Sequence, residues 1–245
     1  MRLSQAWTIA SKDLSIFRKK RNILYSTILF PVLVSIGLPL VVKFAGGASG
    51  GIPAALLPQL MNSFMFFFII GAGTLPTAIA SYSMVGEKVE KSLEPLLATP
   101  TTDSEILLGK SAAALLPPLV SIYAGATIFM ALMDRFTYDT LGYLFFPNWS
   151  AAVTLLLVAP MAAICSVEVN VIISARFSDV RAAQQLGGIL VLPFAGIYVA
   201  AEIGLATLNV INLLAISGTM LVVDALLFYV ATATFRREEI LTKWK

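Results

Sequence analysis

A chain of 245 residues that is 58% hydrophobic and only 13% charged, with a net charge of +3 and a mean hydropathy of +0.86, falls outside the composition of soluble globular domains. It reads as an all-α integral membrane protein of roughly six to seven spans at about 20 apolar residues each, which leaves no room for a soluble catalytic domain. Histidine is absent, which removes the commonest general base and transition-metal ligand, and the single cysteine, Cys165, cannot build a disulfide framework or a Cys-based metal site within one chain.

In chain order, residues 1–22 predict an N-terminal amphipathic helix lying in the membrane interface. Leu3, Trp7, Ala10, Leu14 and Phe17 recur at helical spacing and form its apolar face, and Arg18 to Arg21 give it a basic end suited to an anionic leaflet. The same residues carry no short apolar core or small-residue cleavage site, so no cleavable signal peptide is expected. Residues 23–245 then read as a single transmembrane domain, with spans at about 23–42, 60–84, 106–133, 149–175, 185–203 and 208–235. Lys43 closes the first span. A polar link from Asp134 to Asn148 carries Phe136, Tyr138, Tyr143, Phe145 and Phe146, and Trp149 follows it; these aromatics suit the headgroup level. Gly71, Gly73 and Pro76 in the second span, Pro117-Pro118 in the third, Pro160 in the fourth and Pro193 in the fifth mark places where the helices can kink.

The longest charged interruption is Gly86 to Lys110, GEKVEKSLEPLLATPTTDSEILLGK. Pro95 is tolerated in the first turn of a helix, so Glu94-Pro95-Leu96-Leu97 predicts a short helix that Pro100 must end. Thr102 stands three residues before Glu105, a capping-box spacing that starts a long helix near Asp103. Leu93, Leu96 and Leu97 share one face, and Glu87, Lys88, Glu90 and Lys91 surround it with charge. This describes either a docking knob for a soluble partner or a solvated loop whose leucines rest on the membrane surface.

Orientation follows from the basic residues. With both termini in the cytoplasm, 15 of the 17 Lys and Arg lie inside and only Lys43 and Arg135 lie outside, which places the 86–110 loop in the cytoplasm.

The pattern Glu87-x-x-Glu90-Lys91-Ser92-Leu93-Glu94-Pro95-Leu96-Leu97-Ala98-Thr99-Pro100, followed by Glu105 and Gly109-Lys110, resembles the cytoplasmic signature of ABC-2-type permeases, the membrane subunits of ABC exporters. Lys91-Ser92 stands where that family usually has a small pair. The resemblance implies that Glu87, Glu90, Leu93, Glu94, Pro95, Leu96, Leu97 and Ala98 meet a cytoplasmic ABC ATPase subunit through a coupling helix. A second contact is implied at the fourth-to-fifth connection, with Arg176, Asp179 and Arg181. It also implies a homodimer of the permease beside two ATPase subunits, in the cell membrane. No cofactor is expected on this chain, ATP and Mg belong to the partner, and no nucleic-acid partner is expected. The chain has no phosphate-binding loop of the G-x-x-x-x-G-K-[ST] type and no hydrolase or metalloprotease motif, so it is not expected to be an enzyme.

Two carboxylates interrupt the spans. Counting about 1.5 Å per residue, Asp224 lies roughly 18 Å from Arg236 and Glu168 about 12 Å from Arg176. Charges at these depths face either a water-filled path or a polar partner that only assembles the bundle. No Lys or Arg is expected deep in any span to pair with them, which favours a cationic, neutral or lipid-like substrate over a polyanion. Glu168, Asn170, Asp224 and Phe67, the last within the Phe64 to Phe68 run, are the candidate pathway residues. An ion-coupled secondary transporter using the two carboxylates is the competing reading, although internal repeats, its usual mark, are not found.

Overall fold

A computed structural model of the chain describes residues 3–48, 52–86, 101–177, 179–205 and 207–234. All regular structure among them is helical. In chain order these are α1 (Leu3–Lys19), α2 (Arg21–Ala48), α3 (Leu57–Ser81) with a π-helical turn at Tyr82–Gly86, and α4 (Asp103–Leu141). Then come α5 (Trp149–Val153), a second π-helical turn (Thr154–Val158), α6 (Ala159–Arg176), α7 (Val180–Gly188), α8 (Val191–Glu202) and α9 (Val210–Thr234).

By length and composition six segments can cross a membrane: Tyr25–Ala45, Leu57–Ser81, Ser104–Leu141, Trp149–Ser174, Val180–Glu202 and Val210–Thr232. The number matches the expected six, and several boundaries move. At 39 residues, α4 is about 58 Å long, near twice the thickness of a hydrocarbon core, so it reaches well beyond one. Half of the expected polar link, Asp134 to Leu141, is therefore its last two turns. The helix stops at Gly142, whose φ of 75° is the left-handed conformation of a C-cap, and the Gly142 N–H donates to the Tyr138 carbonyl at 2.8 Å. Similarly, α2 runs past Lys43, whose ammonium lies 4.8 Å over the Phe136 ring.

The expected kinks also resolve differently. Pro160 sits in the first turn of α6, directly after the π-helical turn that absorbs the backbone offset a proline imposes on the preceding residues. The fifth span is broken into α7 and α8 at Ile189–Leu190, so Pro193 lies in the first turn of α8, where its missing N–H costs nothing. Gly71 and Gly73 serve as seats for aromatic rings: a Cβ on Gly71 would meet the Phe30 ring at 2.7 Å, and one on Gly73 would run into Phe194.

At the centre is α3, with 72% of its span buried against 17% for α9. It packs on α2, α4, α6 and α8. Met61, Met65, Phe66, Phe68, Ile69 and Ala72 meet Ile122, Ala126, Phe129 and Met133 of α4, Ala159 to Ala163 of α6, and Phe194 of α8. The Phe64 to Phe68 run, expected as an adaptable surface, thus contributes Phe66 and Phe68 to the core, and Phe64 and Phe67 are half-buried. Phe146 joins the same core, edge-on to Phe129, whereas Tyr138, Tyr143 and Trp149 are exposed as headgroup-level aromatics would be. The Asp134 carboxylate, buried beside Phe146, accepts the backbone N–H groups of Phe145 and Phe146 at 3.1 Å and so folds the α4–α5 connection back onto the bundle.

Candidate functional site

Two polar constellations stand inside this apolar bundle. The first gathers three segments far apart in sequence. The α1 helix lays Ala6, Ile9, Ala10, Asp13 and Phe17 against the rest of the chain, and its main neighbour is α4. The buried stripe is rotated from the expected one: Trp7 is 59% exposed, and Asp13, which the apolar pattern did not include, is inside. Asp13 accepts a hydrogen bond from the Ser83 hydroxyl at 2.7 Å. Lys110 of α4 donates its ammonium to the Ser83 carbonyl at 3.0 Å and to the Ser83 hydroxyl at 3.3 Å, and it pairs with the Asp13 carboxylate at 3.5 Å. Asp13, Ser83 and Lys110 are all buried, and Lys110 is 0% exposed.

Lys110 stands near the start of α4, not in the middle of the span, and pairs with Asp13 and not with Glu168 or Asp224. Lys110 was counted with the cytoplasmic charges, and it is fully buried; Ile9, Ala10, Phe17, Ile79, Ala80, Ile106, Leu107, Ala113 and Ala114 of α1, α3 and α4 belong to a second apolar cluster. Around the network, the Tyr82 ring meets Phe17 edge-on at 6.4 Å, and the Lys20 ammonium stands 3.8 Å above the same ring. The start of α4 is built as its sequence foretold. The Thr102 hydroxyl accepts the Glu105 N–H at 3.4 Å, and the buried Glu105 carboxylate accepts the Thr102 N–H at 2.9 Å, completing a capping box.

The segment between these roots, including Glu87, Glu90, Leu93, Glu94, Pro95, Leu96, Leu97 and Ala98, lies outside the described residues, as do the side chain of Arg176 and the short helix expected at Glu94. The other predicted contact is described in part. Asp179 caps α7, its carboxylate accepting the Arg181 N–H at 2.8 Å, and Asp179 and Arg181 are both exposed. Gln184, one turn on, donates to the Ala78 carbonyl at 3.3 Å and ties α7 to α3 near the Ser83 network.

The second constellation lies on α6 and α9. Glu168 and Asp224 are buried and sit within electrostatic reach of each other. The Cys165 thiol, one turn before Glu168, lies near the Asp224 carboxylate. Glu168 Oε2 and Asp224 Oδ1 accept no hydrogen bond from any described residue. Asn170 is buried but serves another seam. Its side-chain carbonyl accepts the Ser81 hydroxyl at 2.6 Å, its amide donates to the Ser166 carbonyl at 3.4 Å, and it presses on Gly187 of α7. Phe67 packs against Tyr198 of α8, ring centroids 5.0 Å apart. The structure therefore joins Glu168 with Asp224, adds Cys165, and places Asn170 and Phe67 in separate packing seams. Asp13 and Lys110 were the residues missed, and the Gly109-Lys110 pair closing the signature was the one sequence signal that pointed to them.

The model of one family, described as ABC-2 family transporter protein, matches residues 7–241. That match takes in α1 from Trp7 onward, all six spans and both constellations. No curated protein matches the chain in sequence.

Proposed function

Since the chain belongs to the ABC-2 transporter family, and so is a membrane-spanning permease of an ABC transporter that partners an ATPase subunit, we propose that it is the six-span half of an exporter driven by ATP hydrolysis on that separate chain. Two copies form the pathway, and a two-fold homodimer is the simplest symmetric solution. ATP and Mg are held by the partner. The termini and the 86–110 loop face the cytoplasm, and the loop receives the ATPase through Glu87, Glu90 and the Leu93 to Ala98 segment, with Arg176, Asp179 and Arg181 as the second contact.

The observation that carries this reading is the gathering of α1, Ser83 and Lys110 at the two roots of that loop, Gly86 and Thr101 being its flanks. Roots anchored by buried polar contacts give a docked partner something firm to push against. Glu168 and Asp224, with Cys165 beside them, are the polar stretch of the substrate pathway, with Asn170 further along α6 and Phe67 on α3 as its remaining candidates. Carboxylates with unpartnered buried oxygens suit a cationic or hydrogen-bond-donating substrate group. The same feature supports a second reading, in which the carboxylates couple transport to an ion gradient.

One experiment separates the two. The detergent-solubilised chain is pulled from its native membrane, co-purifying proteins are identified by mass, and ATP hydrolysis is assayed. A stoichiometric partner with a phosphate-binding loop, and loss of both partner and hydrolysis on Leu96→Asp/Leu97→Asp, is the outcome expected of the exporter. A preparation without an ATPase sinks that reading and moves attention to Asp224→Asn in a gradient-driven flux assay.

A further inference from the structure

The contact between α1 and the start of α4 sets small residues at its closest approach. Ala6, Ala10, Gly109 and Ala113 are buried, and a Cβ on Gly109 would meet the Ala6 carbonyl at 2.6 Å and the Ile9 Cβ at 2.9 Å, so the two backbones lie close. Apolar side chains here, Ile9 and Phe17 of α1 among them, supply adhesion, whereas directional polar contacts discriminate most sharply between one alignment and the next. Lys110 and Asp13 supply the register. A buried ion pair contributes little to stability compared with well-packed apolar side chains, and its best-attested use is to specify one alignment over others. Here the pair is directional, since Ser83 bridges it from the π-helical turn, and the second carboxylate oxygen of Asp13 accepts nothing among the described residues. The carboxylate therefore depends on Ser83 and Lys110.

We infer that Asp13, Ser83 and Lys110 are positioning residues that lock α1, the Tyr82–Gly86 turn and the first turns of α4 into one rigid block, so that α1 travels with the loop roots through the ATP cycle. The inference rests on the exporter reading and adds a role for α1: it is carried by the roots and does not slide on them.

The test uses the full chain in complex with its ATPase, with nitroxide labels at Trp7→Cys and Ser104→Cys, both exposed and on opposite sides of the seam; Cys165 is buried and stays unlabelled. Pulsed dipolar spectroscopy compares the nucleotide-free and vanadate-trapped states. With Asp13 intact, and labelled chain diluted with unlabelled chain so that only distances within one copy are read, one distance peak is expected, unchanged between states. Asp13→Asn is expected to add a second population displaced by about 5 Å, one helical turn, and Asp13→Glu to restore the single peak. A Trp7–Ser104 separation that changes with nucleotide while Asp13 is intact overturns the inference, even if the Asn variant fails to assemble. So does an assembled Asn complex with one unchanged peak. Failure to isolate any ATPase complex is a different result, which overturns the exporter reading and the inference with it.

Discussion

Lys110 shows what a single residue can hide. It stands in the second turn of α4, where the positive end of the helix dipole disfavours a cation, and it is fully buried. The Asp13 carboxylate supplies the opposite charge beside it, and Ser83 accepts its N–H groups. Replacing Lys110 by Met is therefore expected to destabilise the bundle by about 3–5 kcal/mol, because the Asp13 charge is left without its partner, whereas Asp13→Asn/Lys110→Met together recover most of the loss. Thermal unfolding of the purified chain in detergent checks this, and a double variant as unstable as the single would show that the charges are not what matters. Glu168 and Asp224 were legible in the sequence because a carboxylate in the middle of an apolar run has no ordinary explanation. Asp13 and Lys110 were not, because charges near span ends are ordinary and nothing local separates a solvated one from an enclosed one. The rotated face of α1 has a related cause. Within a membrane or at its edge, apolarity does not distinguish lipid from protein, and close helix packing selects small residues, so Ala6 and Ala10 turned inward and Trp7 outward.

Among the elements, legibility followed the locality of the signal. The capping box at Thr102 and Glu105 was readable because both halves of the motif are three residues apart and need no tertiary context. Thr102→Ala is expected to cost about 1 kcal/mol at the helix start, seen as faster hydrogen exchange at the Glu105 amide and its neighbours with exchange in the middle of α4 unchanged. Uniform change along the helix would mean that the cap serves the whole bundle and not this end. The end of α4 was misplaced by two turns because Asp134 looks like a span boundary, and only the fold reveals that its carboxylate is occupied by the Phe145 and Phe146 amides. The break between α7 and α8 was missed because the run from Val180 to Glu202 stays apolar across it. Hydropathy reports depth in the membrane, and it does not report continuity of the helix.

At the scale of the whole molecule, the six spans and the charge bias make one statement that the structure turns into a test. Helices α1 and α4 meet where α4 begins, so Ser104 shares an end of the bundle with α1. The connections at Tyr143 and Leu205 follow α4 and α8, the third and fifth spans, and so lie at the opposite end of a six-span path. Tyr143 is 51% exposed and Leu205 78%. The six-span reading of the sequence assigns 15 of the 17 basic residues to segments on one side of the membrane, a bias that holds such segments in the cytoplasm. Single cysteines at Tyr143 and Leu205 are therefore expected to react with a membrane-impermeant maleimide on intact cells, whereas one at Ser104 reacts only after permeabilisation. The one native thiol, Cys165, is buried and leaves the background low. Labelling of Ser104→Cys from outside would invert the bundle, put the signature loop beyond reach of any cytoplasmic ATPase, and end the exporter reading at its first premise.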